Sequence, residues 1–431
     1  MRRLNLVPLL LLAALLLSSC TQGSVGIFAS IEQEVKTQKS NLSENSSITG
    51  VVESNNHIFA SLGNISRRSV GNDDWNGAGS PPGIDSPISV ALVQLGPPTQ
   101  GDRRYFAAFN SQDGSDNALF ELSIDHDTGS VDYGSELTLA AELTSRQEIA
   151  ALFGVDTDHD GFGDELYASV RSGDLNDEPL FALVRNPGDV GGSEEIIRSG
   201  SSGGGSSGAG DNLFDGAADN SGNIWFVGSK GGLYRYNGST VVYLSGVSVD
   251  GYPELSDGVG GSGFSGIYSI DLEALGGTAG TIALFLSDAD GRIWVTTDDG
   301  ANWSFEDLSN NRAFTDMVWV PQAGTGGSGA LLIGTRPIIQ QGVTDQGYYE
   351  LLLSADGETI TFGEFDAPET SNYSTSDLQD STVSSFYLAD QRPWGVTPAK
   401  SDNQVLLLTG GIGLWNITYG PNGAPTEVRW E

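Results

Sequence analysis

The residues most able to do chemistry lie in one short run, Asp156-Thr157-Asp158-His159-Asp160-Gly161-Phe162-Gly163-Asp164. Its pattern is D-x-D-x-D-G-x-x-D. Carboxylates at alternating positions can converge on one hard cation, and the glycine lets the chain turn sharply around it. The competing reading is a solvated acidic turn. Proton-transfer chemistry has fewer candidates. The three histidines are His57, His126 and His159. His57 opens a strand, His126 sits in a turn, and His159 projects from the carboxylate run into solvent. The chain has no H-E-x-x-H, and no G-x-S-x-G stands at a strand-to-helix turn, so neither a zincin nor a serine hydrolase is indicated. Arg235, Arg292, Arg312, Arg336 and Arg392 could grip a carboxylated substrate. They could equally be solvated or paired with the acidic excess. Glycoside hydrolysis needs two opposed carboxylates, and spacing alone singles out no pair among 56 acids.

Composition narrows the partners. Lys and Arg total 20 against 56 Asp and Glu, a formal net charge of −36 over 431 residues. Such a field repels phosphate backbones and anionic headgroups, so a nucleic-acid partner is excluded. One cysteine, Cys20, rules out an internal disulfide and a cysteine-based zinc site.

The N-terminus reads as an address. Arg2 and Arg3 precede an apolar stretch from Leu9 to Leu17, followed by Ser18, Ser19 and Cys20. Charge, apolar run and small-residue exit make an export signal, too short to span a bilayer. Leu17-Ser18-Ser19-Cys20 resembles a bacterial lipobox. The resemblance implies removal of residues 1–19 and lipid attachment at Cys20. Thr21, after the cysteine, resembles outer-membrane sorting. Residues 20–47, rich in Ser, Asn, Thr, Gln and Glu, then form a tether, and 48–431 a folded body.

That body carries a repeat. An apolar strand, a polar or Gly-rich turn, and a second strand with an early aromatic recur from residues 58, 105, 166, 224, 283, 330 and 405, about every 58 residues. Ile224-Trp225-Phe226-Val227-Gly228 followed by Leu233-Tyr234-Arg235-Tyr236 is the clearest copy, and Asp290-Gly291 marks another hairpin. Seven copies at this pitch predict an all-β fold, a β-propeller of about seven four-stranded blades. A parallel β-helix is the alternative, but its repeats are shorter. Ring closure is expected from Glu427–Trp430 pairing with Ile48–Val52. Segment 199–210, almost pure Gly and Ser, reads as a flexible loop, and 364–385 as an inserted loop.

Three resemblances support the propeller. Ser221–Gly228 with Gly231–Tyr236 resembles the propeller repeat of periplasmic sensor regions in hybrid two-component regulators. Thr296-Thr297-Asp298-Asp299-Gly300-Ala301-Asn302-Trp303 resembles the Asp box of sialidases, sortilin-type domains and photosystem II assembly propellers. That likeness implies a structural clip of Thr296, Asp298, Gly300 and Trp303, with Asp298 accepting backbone N–H bonds and Trp303 packed beneath. Asp156–Asp164 is similar to the calcium loop of integrin-type propeller repeats and to the first half of an EF-hand. The likeness implies Ca2+ held by Asp156, Asp158, Asp160 and Asp164, with the Phe162 carbonyl.

Two functions are consistent with this sequence. One is a non-catalytic, lipid-anchored binding or assembly platform outside the cytoplasm, at the outer membrane or cell surface. It would take a protein or glycan ligand at a propeller face or rim, where Trp75 and Trp394 are candidate aromatics. The other is a cell-surface glycoside hydrolase of sialidase-like architecture. The two differ in what gathers at the axis: arginines with paired carboxylates for the enzyme, an open rim for the platform.

Overall fold

The computed structural model describes residues 49–54, 57–61, 64–69, 75–96, 103–137 apart from 115 and 126, 139, 148–159, 163–170, 182–198 apart from 191 and 193, 212–244 apart from 230, 263–308, 312–337 apart from 322, 325 and 326, 347–367, 383–389, 403–409, 413–420 and 422–430. They form seven antiparallel sheets of four strands each. Blade 1 comprises β1 (Val51–Ser54), β2 (His57–Ser61), β3 (Ile65–Ser69) and β4 (Asn76–Gly79). Blade 2 comprises β5 (Pro87–Leu95), β6 (Arg104–Ser111), β7 (Asn117–Ile124) and β8 (Val131–Leu137). Blade 3 has β9 (Ile149–Val155), β10 (Glu165–Val170), β11 (Ala182–Arg185) and β12 (Glu195–Arg198). Blade 4 has β13 (Leu213–Ala218), β14 (Ile224–Gly228), β15 (Leu233–Tyr236) and β16 (Val241–Tyr243). Blade 5 has β17 (Phe264–Asp271), β18 (Ile282–Asp288), β19 (Arg292–Thr296) and β20 (Ser304–Asp307). Blade 6 has β21 (Arg312–Val320), β22 (Ala330–Pro337), β23 (Gly347–Asp356) and β24 (Thr359–Asp366). Blade 7 has β25 (Val383–Ala389), β26 (Asn403–Thr409), β27 (Gly413–Tyr419) and β28 (Pro425–Trp430).

The first strand of each blade packs on the first strand of the next, from β1 through β5, β9, β13, β17 and β21 to β25, and β25 packs back on β1. The chain is therefore a closed seven-bladed propeller. Closure differs from the sequence expectation. β28 pairs with β27, and β1 pairs with β2. Among the described residues every blade is built from four consecutive strands, no strand of one end joins the sheet of the other, and the ends meet where β25 packs on β1.

Burial follows distance from the middle of each blade. β14 and β18 are buried at every position, while β20 is exposed at every position and β24 at most. Both faces of a middle strand are covered by neighbouring blades, which is why it is continuously apolar instead of alternating. Described core clusters accordingly straddle blade pairs. One joins Phe153, Tyr167 and Leu213 to Phe226 and Tyr234, and another joins Phe285 and Val295 to Phe314 and Leu331. Burying one such side chain fully contributes about 1.5–3 kcal/mol. The ring is thus held by its inter-blade layers.

The apolar copies at 58, 105, 166, 224, 283, 330 and 405 prove to be the second strands of the seven blades. Residues 364–366 and 383–385 belong to β24 and β25, so the inserted loop is narrower than 364–385. The leader, Cys20, the tether and the 199–210 segment lie outside the described residues. Among the described residues no helix is long and apolar enough to cross a membrane.

Candidate functional site

The described residues of the carboxylate run, 156–159 and 163–164, lie between β9 and β10. β9 and β10 pair in register from Val155 opposite Glu165. Asp156, Asp158 and Asp164 each direct one carboxylate oxygen into a common space, and these atoms lie within 4.8 Å of one another. That span suits oxygens placed about 2.3–2.6 Å around calcium. Thr157 donates from its backbone nitrogen (3.2 Å) and its Oγ1 (2.8 Å) to Asp164 Oδ2. Burial raises the Asp164 carboxyl above its usual value; the Thr157 bonds oppose that, and Asp158 and Glu165 add to it. His159 takes φ 61°, a left-handed conformation uncommon outside glycine. It is half-buried beside a cavity and not projected into solvent. Asp160, Gly161 and Phe162, the remaining predicted contributors, lie outside the described residues.

The cavity measures about 350 Å3 and is bounded by the first strands of blades 3, 4, 5 and 6. Asp156, His159, Asp215, Tyr268, Asp271 and Trp319 contribute side chains to its lining. Bulges place the central ones. Six of the seven first strands carry a register shift of one extra residue against the second strand, at Val90, Ala150, Phe214, Ser265, Ser384 and within Thr315–Asp316. A bulge bends the strand and re-aims the next side chains. Asp215 follows the bulge of β13, and Asp316 lies within that of β21. Asp215 Oδ1 accepts from Gly216 N at 2.8 Å, and Asp316 Oδ1 from Met317 N at 2.8 Å. Asp215 Oδ2 also accepts from Ile267 N of the next blade at 3.4 Å. Burial pushes the Asp215 carboxyl well up, and the Asp316 carboxylate pushes it the same way. Tyr268 feels the same surroundings. Burial raises its hydroxyl to about 12 against a bond from the Trp319 backbone, with Asp156 and Asp316 adding to the rise.

Blades 5 and 6 fit closely there. Ser265 Oγ donates to the Phe314 carbonyl (2.8 Å) and Ser287 Oγ to that of Thr315 (3.0 Å), satisfying carbonyls at the β21 bulge. A Cβ on Gly266 would stand 2.6 Å from the Thr315 oxygen, so only glycine allows this approach.

The turn between β19 and β20 brings Thr296, Asp298, Gly300 and Trp303 together. Asp298 Oδ1 accepts from Thr296 Oγ1 (2.8 Å) and Asn302 N (2.8 Å), and Thr296 Oγ1 accepts from Gly300 N (3.0 Å). Although burial pushes the other way, hydrogen bonds from Asn302 and Thr296 hold the Asp298 carboxyl below its usual value. Gly300 takes φ 79°, and a Cβ there would meet Trp225 at 2.3 Å. Trp303 meets Trp225 edge to face at 5.6 Å. Asn220 of blade 4 completes the joint: its Nδ2 donates to Asp299 Oδ1 (3.1 Å), and its Oδ1 accepts from Ile282 N (2.6 Å).

Two further aspartates do related work and were missed from sequence. Asp219 accepts from Ser221 N, Asn223 N and Trp225 Nε1, the last at 2.8 Å. Asp288 accepts from Asp290 N, Arg292 N and Trp294 Nε1, the last at 2.9 Å. Both stand in D-x-x-G-x-I-W, at 219–225 and 288–294. That shared spacing was the available signal.

The other predicted groups are dispersed. Arg235 stacks over Trp225, and Arg292 pairs with Asp288 and Asp290 and lies over Trp294. Neither lines the cavity. His57 is buried in β2, and burial, then Arg67, holds its pKa below the usual value. Trp75, expected at an open rim, is 5% exposed under Arg68. Trp394, Arg392 and His126 lie outside the described residues. Asp215, Asp316 and Tyr268 were not foreseen, because bulges are invisible to a period-two reading.

No family model matches this chain, and no curated protein does. Solved structures share its shape. It is similar to an ancestral GH74 enzyme, with TM-score 0.55 and 11% identity over 91% of this chain and 47% of that one. The chain thus spans about half that enzyme's length. It is also similar to YCF48 from Cyanidioschyzon merolae (TM-score 0.47, 11% identity, 88% and 96% covered) and to Saccharomyces cerevisiae Sqt1 (0.48, 13%, 88% and 97%). At these identities the likeness concerns the fold alone.

Proposed function

We propose that this protein is a non-catalytic binding platform, a propeller held outside the cytoplasm by lipid on Cys20, at the outer membrane or cell surface, which receives a protein or glycan ligand at its axial cavity. The observation that carries this reading is the composition of that cavity. Carboxylates, a histidine and aromatics from four blades line it, and no Arg or Lys is among its described lining residues. A site for a carboxylated sugar would need those cations. Calcium on Asp156, Asp158 and Asp164 would brace the hairpin that forms one wall. Its chemistry there is to neutralise clustered carboxylates, not to activate a substrate.

A second reading, glycoside hydrolysis, is favoured by one pair. Asp215 and Asp316 come from different blades and share one electrostatic environment. Incubating the chain with aryl glycosides separates the two. The platform reading expects no turnover, together with retention of a defined ligand on peptide or glycan arrays. Turnover that vanishes in Asp215→Asn and Asp316→Asn would overturn it. Mass spectrometry of the exported protein should find Cys20 acylated; an unmodified thiol would remove the tether.

A further inference from the structure

Apart from the axial cavity, we propose that a cleft between blades 5 and 6 binds a neutral sugar residue of a glycan. The cleft measures about 260 Å3. Its lining includes Thr297, Asp298 and Trp303 on the blade 5 side and Glu358, Thr359 and Ile360 on the blade 6 side. Both walls are fixed before a ligand arrives. The first is the turn that Asp298 ties to Thr296 and Asn302. The second is the turn between β23 and β24. There the Gly357 carbonyl accepts from Thr278 N at 3.0 Å, on the connection between β17 and β18 of blade 5. A Cβ on Gly277 would stand 2.7 Å from the same oxygen, so the contact depends on glycine. Hairpins held in this way make a pre-formed recess, which spares a ligand the cost of ordering it.

The lining asks for groups that both donate and accept. Trp303 Nε1 is buried and donates to nothing among the described residues, so it is suited by an oxygen. Asp298 Oδ2 accepts one bond, from Asn302 Nδ2 at 2.6 Å, and Glu358 brings an exposed carboxylate. Carboxylates are suited by donors. The hydroxyls of Thr297 and Thr359 can do either. A ligand hydroxyl donates and accepts at a single atom, and neighbouring hydroxyls on one ring present several such atoms at fixed spacing. The remaining lining is apolar. Val295 is buried, and Ile360 packs against the core cluster that contains it. With the half-buried ring of Trp303, these offer a surface for the C–H face of a pyranose. Drug-sized ligands take pockets of roughly 300–1,000 Å3, so this smaller recess suits one ring. An anionic sugar would set its charge beside Asp298 and Glu358. Thr296 is a framing residue: its Oγ1 already accepts from Gly300 N and donates to Asp298. Contact with the sugar therefore falls to Asp298, Trp303, Glu358 and Thr359.

The test is retention of the full chain on an array of neutral hexose oligosaccharides, set beside sialylated and sulfated glycans and a panel of peptides, followed by calorimetric titration with the sugar retained. At least one neutral glycan should be held in preference to the anionic ones. Thr359→Val combined with Glu358→Gln should weaken its binding roughly tenfold or more. Trp303→Phe, which keeps a ring and removes the N–H, should weaken it roughly threefold or more. Glu306→Gln, on the exposed strand β20, should leave it unchanged. If Trp303→Phe does not fold, the blade 6 pair carries the same test. Retention of no neutral glycan overturns the inference, as does a preference for anionic glycans. Sugar binding that survives in the blade 6 pair overturns the site; if that binding is lost in Asp215→Asn, the sugar belongs to the axial cavity and the platform reading stands. Retention of peptides alone likewise overturns the sugar and keeps the platform. Aryl glycoside turnover lost in Asp215→Asn overturns the platform, and the cleft is then judged by its own variants.

Discussion

Aspartate does opposite work in two regions of this ring. In the hairpin turns, Asp219, Asp288 and Asp298 are surrounded by donors. Each carboxylate collects N–H groups from its own turn, and two of them also hold the indole of a tryptophan six residues on. On the bulged first strands, Asp215 and Asp316 are brought near one another. Burial and like charge both act against ionisation there. The same residue type fastens a turn within one blade in one place and meets a like charge from the neighbouring blades in the other.

The largest effect is expected at the fastened end. Trp225 is fully buried against Gly300 and Trp303. Trp225→Ala should cost about 3–5 kcal/mol in urea denaturation. If it costs under about 1 kcal/mol, the turns are not the anchors described. Next comes Asp219→Ala, which leaves the buried Trp225 Nε1 without its acceptor. A loss of about 1–3 kcal/mol is expected, and Asp219→Asn should restore part of it.

A third carboxylate sharpens the contrast through pH. Glu350 accepts from Tyr419 Oη at 2.7 Å, and the hydroxyls of Tyr419 and Tyr348 are hydrogen-bonded at 3.0 Å, joining blades 6 and 7. Burial raises Glu350 from 4.5 to about 7, with the Tyr419 bond opposing. The folded ring therefore favours the neutral acid. Its contribution to stability is full below about pH 4.5 and declines as pH rises through about 7. Urea midpoints at pH 5 and pH 8 should differ less in Glu350→Gln than in the parent. An identical difference would show that other groups set the pH response.

The smallest change belongs to the axis. Asp215→Asn removes a charge that burial disfavours, so stability near neutral pH should stay level or rise slightly, by less than about 1 kcal/mol. A large loss would mean that Asp215 is a fastening like Asp219. Calcium offers a last comparison. It should raise the melting temperature of the parent and have little effect on Asp158→Ala, while a parent indifferent to calcium would leave the 156–164 hairpin as a solvated turn.

Much of the fold was legible because the second strands are apolar on both faces. Leu166–Val170 and Ile224–Gly228 stand out from any surrounding sequence, and their pitch counts the blades. The outer strands do not. Ser304–Asp307 is wholly exposed, so its sequence resembles a loop. The first strands are hidden for another reason: one extra residue breaks their alternation, as Phe214 does before Asp215. The gathering of Asp156, Asp158 and Asp164 could be anticipated because they lie in one short run. The axial residues could not, since Asp215, Tyr268 and Asp316 are neighbours only after three blades have taken their places around the ring.

Because each sheet is spun from one unbroken stretch of chain, no blade depends on the two ends meeting. A circular permutation would respect this. Joining residue 430 to residue 49 through a short linker, and opening the chain between β12 and β13, would leave all seven sheets with their own four strands. The wheel itself has no preferred beginning.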